Sequence, residues 1–324
     1  MHPQPGESLL KEDSTMIPKM PPREGQLGFL YLPPYRVQGV SVAGEQTVVQ
    51  IPELDIVFDM GQCTRASLSS GTVALSHAHM DHLGGLPYWL SQRHFQKLGC
   101  GRVVCHPELV GPLERMIKSW VDLEQQKTPF EITPLPPGED LQLKSNLVLR
   151  SFETKHTAPS LAYAIVEKRS KLKPDYCDLP QDRIKELKSR GTDITTVVEI
   201  PTIAITGDTE PCSALETREF REAKIVLTEC TFFSPEHKDR AKIGRHIHLD
   251  DLAALLNEWE ADNVVITHIS RRTSLGFARD RIKEIEDGRH NDRVHILMDY
   301  RTNRRRYEQQ AAEAALKSKK TLKQ

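Results

Sequence analysis

The chain has 324 residues, 38% hydrophobic and 27% charged, with 44 basic and 45 acidic side chains and a formal net charge of −1. That composition is ordinary for a soluble globular protein of one large or two smaller domains, and no apolar run approaches the roughly 18 residues of a membrane span. Near-neutral charge argues against a general nucleic-acid binder, which needs clustered Lys and Arg, and six scattered cysteines without a CxxC pair argue against a disulfide frame or a zinc ribbon.

Residues 1–34 are polar and rich in proline (Pro3, Pro5, Pro18, Pro21, Pro22, Pro33, Pro34), which precludes regular helix over most of the stretch. They read as a disordered or draped extension. No basic-then-apolar leader opens the chain, so the expected compartment is cytoplasmic. From Tyr35 the pattern turns to β. Short apolar runs at Val37–Val42, Thr47–Ile51 and Asp55–Asp59 are separated by turn residues.

Next comes the densest stretch of the sequence. The apolar strand Val73–Leu75 leads into Ser76-His77-Ala78-His79-Met80-Asp81-His82, and Gly84-Gly85 and an apolar-periodic helix follow. His77 and His79 point the same way in extended chain. Asp81 and His82, where strand turns to helix, face a second point a few ångströms away. Imidazole nitrogens and carboxylate oxygens are the ligands zinc accepts. A helix is predicted over Pro107–Gln126. The strand around Leu147–Glu153 then delivers His156, Thr202–Ile205 delivers Asp208, Ile225–Phe232 carries Glu229, and Val264–Thr267 delivers His268. Four apolar strands in turn therefore end in His77, His156, Asp208 and His268. Between them, residues 168–201 carry Lys168, Arg169, Lys171 and Lys173 but no candidate metal ligand. His246 and His248 precede a helix with Leu252, Leu255, Leu256 and Trp259 on one face. His246 reads as structural, though less firmly than the other unassigned histidines. Residues 301–324 form a basic, helix-prone tail.

The HxHxDH stretch resembles the signature of the metallo-β-lactamase superfamily, which implies an α/β fold, an αββα four-layer sandwich with a one- or two-metal site at one edge of its sheets. Adding His156-Thr157-Ala158-Pro159-Ser160, Gly207-Asp208-Thr209, Glu229-Cys230-Thr231-Phe232, His246-Ile247-His248 and His268-Ile269-Ser270-Arg271-Arg272, residues 35–300 are similar to the ribonuclease Z family in its short, plant-type form. The resemblance implies a zinc-dependent endoribonuclease that removes the 3′ trailer of precursor tRNA, acting as a homodimer with two Zn2+ per chain. It implies His77, His79 and His156 on one ion, Asp81, His82 and His268 on the other, and Asp208 between them. Asp81 is then also the general base, and Glu229 with His248 handles the leaving-group proton. Ser270, Arg272 and the basic arm would bind substrate, the arm holding tRNA by its phosphates. Asp59, in Val57-Phe58-Asp59-Met60-Gly61, would support the metal loop. An N-terminal strand usual in the family is not evident, and Thr273 stands where Tyr is common. A phosphodiesterase or other hydrolase acting on a small molecule is the alternative, favoured by the near-neutral charge.

Overall fold

The period-2 pattern of the apolar runs builds two seven-stranded sheets in the computed structural model, which describes residues 27–286 and 293–321. The first sheet takes its strands in chain order: β1 (Gly28–Leu32), β2 (Tyr35–Val42), β3 (Gln46–Ile51), β4 (Ile56–Phe58), β5 (Thr72–Ala74), β6 (Gly101–Cys105) and β7 (Phe130–Pro134). β1 to β4 run antiparallel, and β4 to β7 are parallel. The second sheet repeats the plan with β8 (Asp140–Lys144), β9 (Leu147–Glu153), β10 (Leu161–Leu172), β11 (Thr195–Ile205), β12 (Ile225–Glu229), β13 (Asn263–Thr267) and β14 (Val294–Ile296). It is antiparallel to β11 and parallel from there on.

The helices are α1 (Met80–Leu83), α2 (Leu86–Phe95), α3 (Val110–Glu124), α4 (Gln181–Ser189), α5 (Arg218–Arg221), α6 (Lys238–Gly244), α7 (Leu249–Glu258), α8 (Leu275–Glu286) and α9 (Tyr300–Thr321). Alternation along β10 shows how the layers form. Leu161, Tyr163 and Ile165 enter the core between the sheets, while Ala162, Ala164 and Val166 enter the core under α5, α7 and α8. On the other flank, Trp89 and Leu90 of α2 and Leu113 and Ile117 of α3 cover the first sheet. The result is the expected αββα sandwich. No described helix is long and apolar enough to cross a membrane. All six cysteines are free; Cys105, Cys212 and Cys230 are buried, whereas Cys100 and Cys177 are exposed.

Two boundaries differ from the sequence expectation. The folded body begins before Tyr35, because Gly28–Leu32 is a buried strand paired with Tyr35–Gly39. Pro33 and Pro34, read as part of an irregular extension, instead occupy the turn between β1 and β2, where missing N–H groups cost no ladder bond. Residues 1–26 of the expected extension lie outside the described residues. At the other end, the basic tail expected at 301–324 is no free appendage over its first turns. α9 packs along β1 through an edge-to-face contact of Tyr307 with Phe29, a hydrogen bond from Gln310 Nε2 to the Tyr31 carbonyl, and buried Ala314.

The segment expected as an arm is a long two-strand extension capped by α4. β9 pairs with β10 as far as Glu167, and after one further hydrogen bond from Lys168 N to the Asn146 carbonyl (2.8 Å), Arg169–Leu172 pair with Thr195–Val198 alone. At about 3.3 Å per residue, Leu172 lies roughly 35 Å along β10 from Leu161.

Candidate active site

The loops at the C-terminal ends of parallel strands carry functional groups in open α/β sheets, and both sheets obey that rule here. The ends of β4 and β5 in the first sheet supply Asp59 and His77–His82; the second sheet supplies His156, Asp208, Glu229 and His268. The two edges are joined by hydrogen bonds from Leu161 N to the Ser76 carbonyl (2.8 Å) and from His268 N to Ser41 Oγ (2.9 Å). Close approach needs two glycines. A Cβ on Gly61 would sit 1.8 Å from the Asp81 carbonyl, and one on Gly207, at φ +59°, would sit 2.6 Å from the Ser76 Cβ.

Asp208 is the hub. Its Oδ2 lies 3.2 Å from His268 Nε2, 3.3 Å from His82 Nε2, 4.0 Å from His77 Nε2 and 3.9 Å from His246 Nδ1. Asp81 Oδ2, fixed by the Gly44 N–H at 2.8 Å, lies 3.3 Å from His268 Nε2 and 3.6 Å from His82 Nε2. His79 Nδ1 is 3.0 Å from His77 Nε2 and 3.2 Å from His156 Nε2. The structure thus brings the seven expected ligands together.

The outward nitrogens decide what the inward ones can do. His82 Nδ1 meets Asp59 Oδ2 at 2.8 Å, and His156 Nδ1 meets the Arg245 carbonyl at 3.1 Å. His268 Nδ1 meets Thr231 Oγ1 at 3.0 Å, whose own proton goes to Glu229 Oε2 at 2.6 Å. His77 Nδ1 meets Ser76 Oγ at 3.0 Å, whose proton goes to Asp59. Each of these acceptors calls for an Nδ1–H, so four Nε2 lone pairs turn toward Asp208 and one another; His82 Nε2 and His268 Nε2 are 3.2 Å apart. Converging lone pairs and carboxylates fit a divalent cation of the kind that accepts N and O ligands.

The titration pattern agrees. Burial, with His82 nearby, holds His77 well below the usual imidazole range, and burial also lowers His79 and His156. For His82 burial opposes the charge, but Asp208 and Asp59 outweigh it and raise the pKa. Such a proton occupies the place a metal would take. Asp208 itself is held well below the carboxylate range: burial would raise it, and His268 and His82 outweigh burial.

The imidazole partner of Glu229 differs from the expected one. Glu229 pairs with His246, whose Nδ1 lies 3.0 and 3.1 Å from its two oxygens, and not with His248. Glu229 is itself fixed by the Thr209 N–H at 2.7 Å. Burial lowers the pKa of His246, but Glu229 and Asp208 more than compensate and bring it to about 9. His248 caps α7. Its Nδ1 accepts from the Asp250 N–H at 3.2 Å, Asp251 bonds back to its N–H at 3.1 Å, and its Nε2 donates to the Ser234 carbonyl at 3.0 Å. Both ring nitrogens are committed. The signal for this was in the sequence: His248, an acid three residues on, then the apolar period of Leu252, Leu255 and Leu256, is a capping-box pattern.

The substrate-binding candidates divide. Ser270, its N–H bonded to the Thr231 carbonyl at 3.2 Å, and exposed Arg272 follow His268 directly. Ser270 also lines a cleft of about 660 Å³ with Ser41, Val42, Gln46, Ile269 and Arg271. Of the arm residues, Lys168 pairs with Asp140 (2.8 Å) and Glu199 (3.7 Å), Arg169 with buried Glu167 (2.7 Å), and Lys173 with Asp193 (2.8 Å). Only Lys171 of the four lacks a carboxylate partner among the described residues.

Residues 55–269 match the family described as the beta-lactamase superfamily domain, a span that holds the seven expected ligands together with Glu229 and His246. The chloroplastic tRNase Z of Arabidopsis thaliana is 32% identical over 258 residues, covering 78% of this chain and 72% of that protein. The chain belongs to the tRNase Z family of the beta-lactamase superfamily. A nuclear ribonuclease Z of Triticum aestivum is 36% identical over 164 residues, 51% of this chain and 93% of that one. The crystal structure of the short form of human tRNase Z superposes with a TM-score of 0.53 at 18% identity, over 76% of this chain and 93% of that one, and so shares the fold. The names of the two plant relatives place tRNase Z proteins in the chloroplast and the nucleus, so family membership does not select the cytoplasm.

Proposed function

We propose that this chain is an endoribonuclease that removes the 3′ trailer of precursor tRNA, using two zinc ions. One observation carries the reading: an N/O donor cluster beside a carboxylate–imidazole pair, in a chain 32% identical to a tRNase Z. His77, His79 and His156 would hold one ion, Asp81, His82 and His268 the other, and Asp208 would face both. Bound there, two divalent ions polarise a phosphodiester and lower the pKa of water towards neutrality. The chain's own groups do the rest. Asp81, held by Gly44, accepts the proton of the attacking water. His246, oriented by Glu229, donates a proton to the leaving 3′ oxygen in place of His248. The cleft at Ser270, mixed in polarity and of ligand size, suits an unstacked nucleotide next to the cut.

The arm lies too far along β10 to touch the reacting phosphate, so its part is to hold a remote region of the tRNA, through Lys171 and whatever paired bases exchange a carboxylate for a phosphate. A homodimer is supported by exposed Tyr88 and Phe95 on α2 and Trp120 and Leu123 on α3, both helices of the outer flank of the first sheet. Mass measurement in solution checks it: a single-chain mass removes the dimer. Small-molecule phosphodiester hydrolysis is the second reading, favoured by the internal pairing of the arm's charges. Rates on a precursor tRNA and on a cyclic nucleotide decide between them. The RNA reading requires the precursor to be cut with much the higher kcat/KM; preference for the cyclic nucleotide would replace it.

A further inference from the structure

Three non-glycine residues around the metal centre have positive φ: Asp59 at 59°, His268 at 56° and Arg245 at 53°. Aspartate tolerates this region, and His268 is a ligand. Arg245 is neither. It follows α6 at a helix end in the left-handed region, where glycine or asparagine is the favoured residue and a Cβ is strained. Gly244 stands one position too early to relieve it.

The backbone of Arg245 already has a task, its carbonyl accepting from His156 Nδ1, but glycine would do that as well. What only arginine adds is the guanidinium. Nη1 donates to the His156 carbonyl at 2.6 Å, so the group is laid against a ligand of the metal centre with its other N–H groups left over. Among the described residues no carboxylate pairs with Arg245, nor with exposed Lys155, which precedes His156, nor with exposed Lys242, whose carbonyl bonds the Arg245 N–H one turn earlier. In the same helix Lys238 is neutralised by Asp250. Arg245, Lys155 and Lys242, next to His156 in space or in sequence, are thus without a carboxylate partner among the described residues, while three of the four arm cations are paired.

We propose that Arg245, flanked by Lys155 and Lys242, binds a backbone phosphate of the RNA adjoining the scissile one, on the His156 side of the centre. This rests on the RNA reading above. A guanidinium fork matches phosphate geometry, and such a contact fixes register without reading sequence.

Arg245→Gly is the clean test, because it removes the guanidinium and suits the backbone conformation. The purified variant is compared with the parent for metal content, for cleavage of a 3′-extended tRNA, and for hydrolysis of bis(p-nitrophenyl) phosphate. The expected result is retained metal, a roughly tenfold or greater rise in KM for the RNA, and a much smaller change on the nitrophenyl diester. The slope of log KM against log salt should flatten by about 0.7, one phosphate contact on a single strand. Arg245→Lys should recover part of the RNA affinity. Unchanged RNA cleavage and salt slope in Arg245→Gly would overturn the proposal, as would equal losses on both substrates with lost metal, which would mean that Arg245 only holds His156. If the parent neither binds nor cleaves the RNA, the RNA reading fails and this inference with it; if the parent cleaves it and the variant matches, only the inference fails.

Discussion

The metal centre and the arm are built at opposite ends of the same two strands, β10 and β11. At the centre, Leu161 and Ile205 pack into the core shared by both sheets, and five of the seven proposed ligands are held by a group outside the set: His77 by Ser76, Asp81 by Gly44, His82 by Asp59, His156 by Arg245 and His268 by Thr231. At the arm, Leu172 and Thr195 pair only with each other and the surface is open. Buried, over-determined groups can be kept in an arrangement that is unfavourable without its metal. Half-buried charges on a two-strand ribbon settle on the nearest opposite charge, which is what Lys168, Arg169 and Lys173 do. Chemistry is therefore expected to fail in large steps when the centre is altered, and the arm to respond in small ones.

The largest effect should come from the hub. Asp208→Ala should lose metal from both positions and take hydrolysis of any phosphodiester to background, read by elemental analysis and by turnover on the same preparation. A variant keeping two metals would remove Asp208 from the centre. Next are the two histidines. His246→Ala should keep the metals and lower kcat on RNA by roughly 10²–10⁴, with a smaller loss on a nitrophenyl diester whose leaving group needs no proton. His248→Ala should instead cost about 1 kcal/mol of stability in a denaturant titration, the usual loss for a helix cap, with kcat little changed. The reverse order would restore the pairing expected from the sequence.

A smaller step is predicted one group further out. Asp59 Oδ2 orients His82, and Asp59 Oδ1 takes the Ser76 N–H at 2.7 Å. Asp59→Asn should weaken metal affinity by roughly 10- to 100-fold, measured by competition with a chelator. The smallest effect belongs to the arm. Lys171→Ala should raise KM for precursor tRNA less than about threefold, with a salt slope flatter by less than one contact. A loss as large as that of Arg245→Gly would show that the arm, and not the rim at His156, supplies the main phosphate contact.

What the sequence made legible follows the same division. Four of the ligands, His77, His156, Asp208 and His268, could be found because each lies just beyond an apolar strand, a pattern that burial forces on the chain, and His79, Asp81 and His82 came with the HxHxDH spacing. The choice between His246 and His248 was harder, because HxH spacing places both near the site and only the helix that follows tells which one is the cap. β1 was hidden by Pro33 and Pro34, which mark a turn as readily as an extension. The neutralised arm was invisible because its pairs depend on register: Lys168 faces Glu199 across the ladder, and Lys173 reaches Asp193 across the base of α4. Arg245 gave no signal at all, since its φ is set by the end of α6 and its neighbour His156 lies 89 residues away.

Mapping both product ends from one precursor tRNA tests the central claim most directly. The account predicts a single cut after the mature 3′ end, leaving a 3′-hydroxyl on the tRNA and a 5′-phosphate on the trailer, abolished by chelator and restored by zinc. Cleavage that survives chelation, or that leaves a 2′,3′-cyclic phosphate, would contradict it.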